Sequence, residues 1–330
     1  AHKIGEADRV ASFTGMGMSQ HKYGTDNVHA LINLVLLTGN IGKPGTGVNP
    51  LRGQNNVQGA ADVGAMPNVL PGYRSVGDAE AREDAADVWG FRPPAEPGLT
   101  EVEMTHAFGD SIRGAFVFGE NPAVTEPNAD RVRERFDQLD CLVVLDLFET
   151  ETAEYADVIL PGSAWAEKAG TVTNTDRQVQ RMRPNATLPG DARRDLEVLV
   201  ELGERLTDHA FDYDGPGEVF DEMTEVNPLY AGMAYDDVGE GSLRWPFPEG
   251  AEEGVGVLHG ETFANGDRTT PLLPVEHVPP AEDLADDELA LTTGRVLEHF
   301  NSGAFSRRSE TLVRLRGTDV LERHPADAEP

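Results

Sequence analysis

Apolar and polar positions fall into blocks along the chain, and the blocks predict an α/β fold. Arg9–Thr14 reads as a short strand running into the glycine-rich turn GMGMSQ. Val28, Leu31, Ile32, Val35 and Leu36 then keep helical spacing, with Thr25 or Asp26 placed to cap the helix and Gly39 to stop it. From Pro44 to Tyr73 (PGTGVNPLRGQNNVQGAADVGAMPNVLPGY) no period emerges, and the stretch reads as a long loop. Loops of that length are functional or disordered, and its aliphatic residues recur too often for disorder.

The middle of the chain alternates more regularly. GAFVFG (Gly114–Gly119) predicts a buried strand, Asn121-Pro122 a turn, and about Asp130–Leu139 a helix. CLVVLDLF (Cys141–Phe148) predicts a second strand, Thr152–Tyr155 a short helix, and DVILP (Asp157–Pro161) a third strand. Strands alternating with helices indicate a parallel sheet, with ligands bound outside the carboxyl ends of its strands. Asn121, Asp146 and Glu149 fall there. A helix near Arg194–Leu206, capped by Asp191, follows. Phe211–Asp283 is acidic, Gly/Pro-rich and weakly patterned, and reads as connecting structure. ELALTTGR (Glu288–Arg295) predicts a new strand, so the chain ends just inside another domain. It begins in mid-element and stops in a polar run, as a piece of a longer protein does.

Charge narrows the function. The 330 residues carry a formal net charge of -31. That excludes the basic footprint of nucleic-acid binding and argues against adhesion to anionic membranes. The acidity is spread along the chain, and only four lysines occur (Lys3, Lys22, Lys43, Lys168). Such a charge strains the compact state unless salt screens it, which points to an extreme halophile and a salt-rich cytoplasm. No apolar stretch reaches the ~18 residues of a membrane span, so no direct membrane insertion is expected. The single cysteine, Cys141, excludes an internal disulfide and a cysteine-ligated iron–sulfur cluster built from these residues alone. Its apolar run predicts that it is buried.

Arg52 lies in NPLRGQNNVQG among Gly45, Gly47 and Gly53. Arginine offers a fixed fork of donors matching a carboxylate, and neighbouring glycines let a ligand approach the backbone. The same pattern suits a surface arginine in a flexible loop. Met16 and Gln20, in a glycine turn after a strand, suit a phosphate or flat heterocycle, although an ordinary turn looks alike. Glu167, Asn174, Asp176 and Arg177 suggest a polar shelf or, equally, a solvated pair. His299 has the best company of the nine histidines. No zinc spacing, Walker loop, G-x-S-x-G elbow or complete G-x-G-x-x-G occurs.

Taken in order, GMGMSQHKYG, LINLVLLTGNIGKPGTGVNPLRGQNNVQGAADVGAMPNVLPGY, GAFVFGENPAVTEP, LVVLDLFETETAEYADVILPGSAWAEKAGTVTNTDRQVQ and LTTGRVLEHFNSG resemble one family. It is the formate dehydrogenase branch of the dimethyl sulfoxide reductase family of molybdenum and tungsten enzymes. Related assimilatory nitrate reductases share most of the framework and generally lack the arginine of NPLRGQNN. A third alternative is a non-catalytic structural subunit of the same fold, against which the retained Arg52 speaks.

The resemblance implies a multidomain molybdopterin oxidoreductase fold with parallel-sheet dinucleotide-binding domains. Residues 1–54 would end one cofactor-binding α/β domain, 55–284 would form an α/β dinucleotide-binding domain with irregular insertions, and 285–330 would start a C-terminal β-barrel domain capping the cofactor. It implies a Mo- or W-bis(pyranopterin guanine dinucleotide) centre that oxidises formate to CO2. Electrons would leave through a [4Fe-4S] cluster to iron–sulfur or NAD-reducing partner subunits. Arg52 matches the arginine that holds formate, and Met16 and Gln20 match residues beside the pterins. Gly119, Asn121, Thr125, Leu145, Asp146 and Gly162 fall where a guanine dinucleotide is gripped. Arg295, His299 and Asn301 match the opening of the capping domain. An Asp is common where this chain has Asn121. The cluster cysteines and the metal-ligating cysteine or selenocysteine, with its neighbouring histidine, are expected before Ala1.

Overall fold

The first apolar segment forms β1, Ala11–Thr14, and its partner comes from the stretch expected to be loop. β2, Gly47–Pro50, runs parallel to β1 in the register Ala11↔Gly47 through Thr14↔Pro50. Parallel neighbours need a crossover. Here it is α1, Gly24–Leu37, whose cap is Tyr23 rather than Thr25 or Asp26. Asp26 sits inside the first turn, where the helix dipole favours an anion. Gly39 ends the crossover as expected, taking φ 63° just past Thr38. The computed structural model describes residues 2–239, 243–278, 285 and 288–325.

The rest of the expected loop is also folded. It holds α2, Val57–Asp62, and a two-residue pairing of Val69–Leu70 with Arg74–Ser75. α3, Ala79–Trp89, follows, with the Asp78 carboxylate accepting the Glu80 N–H at its start and Gly90 at its left-handed end. The six-residue α2 and the two-residue pairing are too short to leave a visible period, which is why the sequence conceals them.

β3 (Gly114–Phe118), α4 (Ala129–Phe136), β4 (Cys141–Asp146) and β5 (Val158–Pro161) follow the expected alternation. The three strands are parallel in the order β3–β4–β5. Phe108, Ala123, Val132, Phe136, Leu142, Val144 and Ala153 form the core on one face. The expectation of full burial fails for β3: Ala115 and Val117 pack on that core while Phe116 and Phe118 stay 42% and 45% exposed. α4 covers one face only, so alternate residues remain open. Cys141 is exposed as well, contrary to expectation, because it begins β4 at the sheet's amino edge.

The returning chain forms the antiparallel pair β6 (Gly170–Thr173) and β7 (Gln178–Met182), then α5 (Asp195–Leu206) and α6 (Pro216–Val226). β8, Leu243–Arg244, adds to β7. Asp191 does not cap α5; Arg194 holds the cap position, and its side chain bonds Glu197 rather than a backbone N–H of the first turn. The segment expected to be mere connection supplies a core instead: Phe220, Tyr230, Met233, Tyr235, Val238, Trp245 and Phe247 pack with Val179.

Packing divides the chain into two units, Ala1–Glu103 with Gly162–Glu282 and Met104–Pro161 with Asp283–Pro330. The expected boundary at residue 284 lies outside the described residues. Glu288–Arg295 does not form the expected strand, and described residues 288–325 hold only a turn at Ser306–Arg308 and a helix at Glu310–Leu315. The fold is mixed α/β with parallel sheets, and no barrel strand occurs among those residues.

Candidate active site

In the first unit, β1 and β2 end side by side, and Leu51 N–H bonds the Thr14 carbonyl at 2.7 Å. Gly15–Gln20 and Leu51–Arg52 therefore leave the same carboxyl edge of a parallel pair, where α/β folds bind ligands. Met16 opens a single turn and Gln20 closes it, its N–H on the Met16 carbonyl at 2.8 Å. Nothing lies within 4 Å of where a side chain would start at Gly15, Gly17, Gly45, Gly47 or Gly53. The turns around Arg52 are open.

Arg52 itself is exposed, with its N–H on Thr175 Oγ1 at 3.4 Å and its Nε on Gln58 Oε1 at 3.2 Å. Gln58 is buried and bonds Asp62 Oδ1 at 2.8 Å and the Tyr73 hydroxyl at 2.9 Å. Both tyrosine hydroxyls, Tyr73 at 2.7 Å and Tyr230 at 2.8 Å, donate to Asp62. Burial first, and then the Asp62 carboxylate, push both hydroxyls well above the ordinary tyrosine value. None of these four stands out in the sequence. The only trace is the i,i+4 spacing of Gln58 and Asp62 on one helix face.

In the second unit, Gly119, Asn121, Leu145 and Asp146 gather at the carboxyl edge of the sheet. Gly119 turns with φ 66° and bonds the Leu145 carbonyl at 2.9 Å, while the Leu145 side chain is buried. Thr125 Oγ1 donates to the Asn121 carbonyl at 3.2 Å. Asn121 Nδ2 donates to Glu151 at 2.7 Å, a bond an aspartate could not make, and this accounts for asparagine here. That bond, first among several, holds the Glu151 carboxyl below the usual carboxylate range. Asp146 is shifted the other way: burial raises it, against the N–H groups of Leu147 and Phe148 and the charge of Arg308. The buried Thr150 hydroxyl has no partner among the described residues.

Arg308 and Phe305, unremarked in the sequence, pack on Phe148 at this edge, the guanidinium 5.3 Å and the ring 6.1 Å from its centroid. His299 is buried nearby in sequence, with its ring nitrogens against Ser306 Oγ at 3.2 Å and the Arg316 carbonyl at 2.6 Å. Arg295 and Asn301 are exposed. Gly162 is buried directly after β5 and opens the return to the first unit.

The suggested polar shelf does not assemble. Glu167 accepts the Ala164 N–H at 2.8 Å, and Asn174, Asp176 and Arg177 fasten the β6–β7 turn. Arg177 ties that turn to the carbonyls of Trp245, Val255 and Gly256.

In each unit taken by itself, open turns or polar groups stand at the carboxyl edge of parallel strands, where α/β folds bind ligands. The chain belongs to the molybdopterin oxidoreductase family, whose model matches residues 1–205. It is 41% identical to the F420-dependent formate dehydrogenase 2 subunit alpha of Methanococcus maripaludis, over 99% of this chain and 49% of that one. It is 37% identical to the assimilatory nitrate reductase catalytic subunit of Bacillus subtilis, over 96% of this chain and 46% of that one. Formate dehydrogenase H of Escherichia coli is 35% identical, over 96% and 45%. The chain thus spans about half the length of the curated relatives it matches.

Membership implies a molybdopterin cofactor, and the residues fit its organic part. In the first unit the glycine turns leave room; in the second, Gly119 is open beyond its own backbone and the Thr150 hydroxyl has no partner among the described residues. They supply no ligand set for the metal: among the described residues, no three His, Cys, Asp or Glu side chains cluster to hold an ion. Cys141 is accessible but begins β4, at the edge opposite Asp146.

Proposed function

We propose that the protein to which these residues belong is an enzyme that oxidises formate to CO2, with Arg52 holding the formate carboxylate. One observation carries this. Arg52 is tied back through Nε to Gln58, while Nη1 and Nη2 take no protein partner among the described residues. A guanidinium held by one edge keeps a charged two-donor fork for a carboxylate at any working pH. Binding there orients the anion, which favours the reactive geometry. When bound, a Mo- or W-bis(pyranopterin guanine dinucleotide) centre supplies the acceptor for the two electrons that formate gives up with one proton.

Met16 and Gln20 lie beside the pterins in this reading. Gly119, Asn121, Thr125, Leu145, Asp146 and Gly162 form the dinucleotide grip, Leu145 by fixing the backbone rather than through its buried side chain. Arg295 and Asn301 contact the cofactor from residues 285–330, and His299, with both nitrogens engaged, holds that segment's shape. The division at residues 54 and 284 belongs to the same proposal. So do a [4Fe-4S] cluster and iron–sulfur or NAD-reducing subunits outside these residues, and a salt-rich cytoplasm as the working place.

A nitrate reductase is the second reading, favoured by the 37% identity to the Bacillus subtilis enzyme, only slightly below the 41% to the Methanococcus maripaludis formate dehydrogenase subunit. The complete protein, assayed with formate and a dye acceptor and with nitrate and a reduced dye, separates the two. Formate-dependent turnover is the expected result, and nitrate-only turnover would replace the proposal.

A further inference from the structure

Asp62 ends α2 without access to solvent, and its hydrogen-bond donors among the described residues are neutral: Gln58 Nε2 and the hydroxyls of Tyr73 and Tyr230. A carboxylate only accepts hydrogen bonds. It therefore selects the NH2 half of Gln58, one helical turn earlier, and leaves Oε1 as the half that accepts from Arg52 Nε at 3.2 Å. Tyr73 spends its one proton on Asp62, so toward Gln58 Nε2 at 2.9 Å it can only accept. Tyr230 does the same, so Thr173 Oγ1 must donate to it at 2.9 Å. Because both hydroxyls are pushed up, they remain donors across the working range of pH. Every bond in this network has a fixed direction, and all the directions follow from one buried charge.

A buried carboxylate held by neutral donors is a poor device for stability, since desolvation opposes it. What it contributes is orientation. We infer that Asp62 is a positioning residue for Arg52: by fixing the sense of the Gln58 amide, it determines which edge of the guanidinium is tied back and which is left for the substrate carboxylate. The inference rests on the reading of Arg52 as the formate-binding group. With Asp62 changed to Asn, the Gln58 amide is free to turn, and its NH2 half then meets Arg52 Nε donor to donor.

The test is a double-mutant cycle in the complete holoenzyme, with Arg52→Ala, Asp62→Asn, Gln58→Met and the two doubles containing Arg52→Ala. Gln58→Met severs the link while leaving Asp62 its two tyrosine donors, so it carries the test where Asp62→Asn does not fold. Each positioning variant should raise KM for formate and lower kcat/KM by about tenfold to a hundredfold at equal cofactor content, the range for loss of an orienting partner. Combined with Arg52→Ala, neither should lower it further, because residues acting through one group do not add. Formate should also raise the thermal midpoint of the wild type, raise it less in Gln58→Met, and leave it unmoved in Arg52→Ala. Additive losses, or unchanged KM in Gln58→Met while Arg52→Ala is crippled, overturn the positioning role and leave the arginine reading intact. Near-normal kcat/KM in Arg52→Ala removes both.

Discussion

Asn121 and Thr152 lock the carboxyl edge of the parallel sheet: Asn121 Oδ1 accepts both the backbone N–H of Thr152 at 3.1 Å and its hydroxyl at 2.8 Å. Thr152 Oγ1 in turn accepts the Ala123 N–H at 3.1 Å, at the start of the short helix Pro122–Thr125. One buried amide thus sets the turn after β3 against the turn after β4.

Asn121→Ala leaves two buried donors of Thr152 unpaired and should cost about 1–3 kcal/mol. Asn121→Asp keeps the acceptor but places a carboxylate against Glu151, so its loss should appear at neutral pH and shrink in acid. Denaturant titrations at the two pH values check both variants. An alanine variant as stable as the wild type would show that the lock is not needed.

Asp146 gives a pH dependence of definite sign. Burial raises its carboxyl above the usual range in the folded chain. Its stabilising contribution is therefore full below the unfolded value and is lost as pH rises through the folded one. Asp146→Asn keeps an acceptor for the Leu147 and Phe148 N–H groups without the desolvated charge. It should raise the melting midpoint at neutral pH and leave it unchanged in acid. A lower midpoint at neutral pH would mean that attraction to Arg308 outweighs the burial.

The net charge of -31 makes salt the third lever. Unscreened carboxylates repel over a Debye length of about 10 Å at 0.1 M salt but only about 3 Å at 1 M. The melting midpoint should rise from dilute to molar KCl. An equal or higher midpoint in dilute salt would remove the halophilic expectation.

The sequence exposes β3, β4 and β5 because each is an apolar run between turn residues, and it places Asn121 and Asp146 at their carboxyl ends through the rule for parallel sheets. It hides what depends on distant partners. Tyr230 reaches Asp62 across 168 positions, and no local pattern announces that pair. Tyr230, Met233, Tyr235, Trp245 and Phe247 pack as a core though glycine, proline and acidic residues break their spacing. ELALTTGR has strand composition but joins no ladder among the described residues, and Leu289 and Leu291 stay exposed. Cys141 misleads because an apolar run predicts burial for its middle and not for its first residue.

The most direct test of Arg52 as the formate-binding group is kcat/KM for formate in the complete holoenzyme carrying Arg52→Ala. It should fall by at least about a hundredfold, since a lost charge-assisted two-donor contact is worth a few kcal/mol. Metal and pterin content should be unchanged, because Arg52 Nε is committed to Gln58 and, in the proposed reading, its outer donors meet the substrate rather than the cofactor. Near-normal formate turnover in a fully loaded Arg52→Ala enzyme would contradict that assignment.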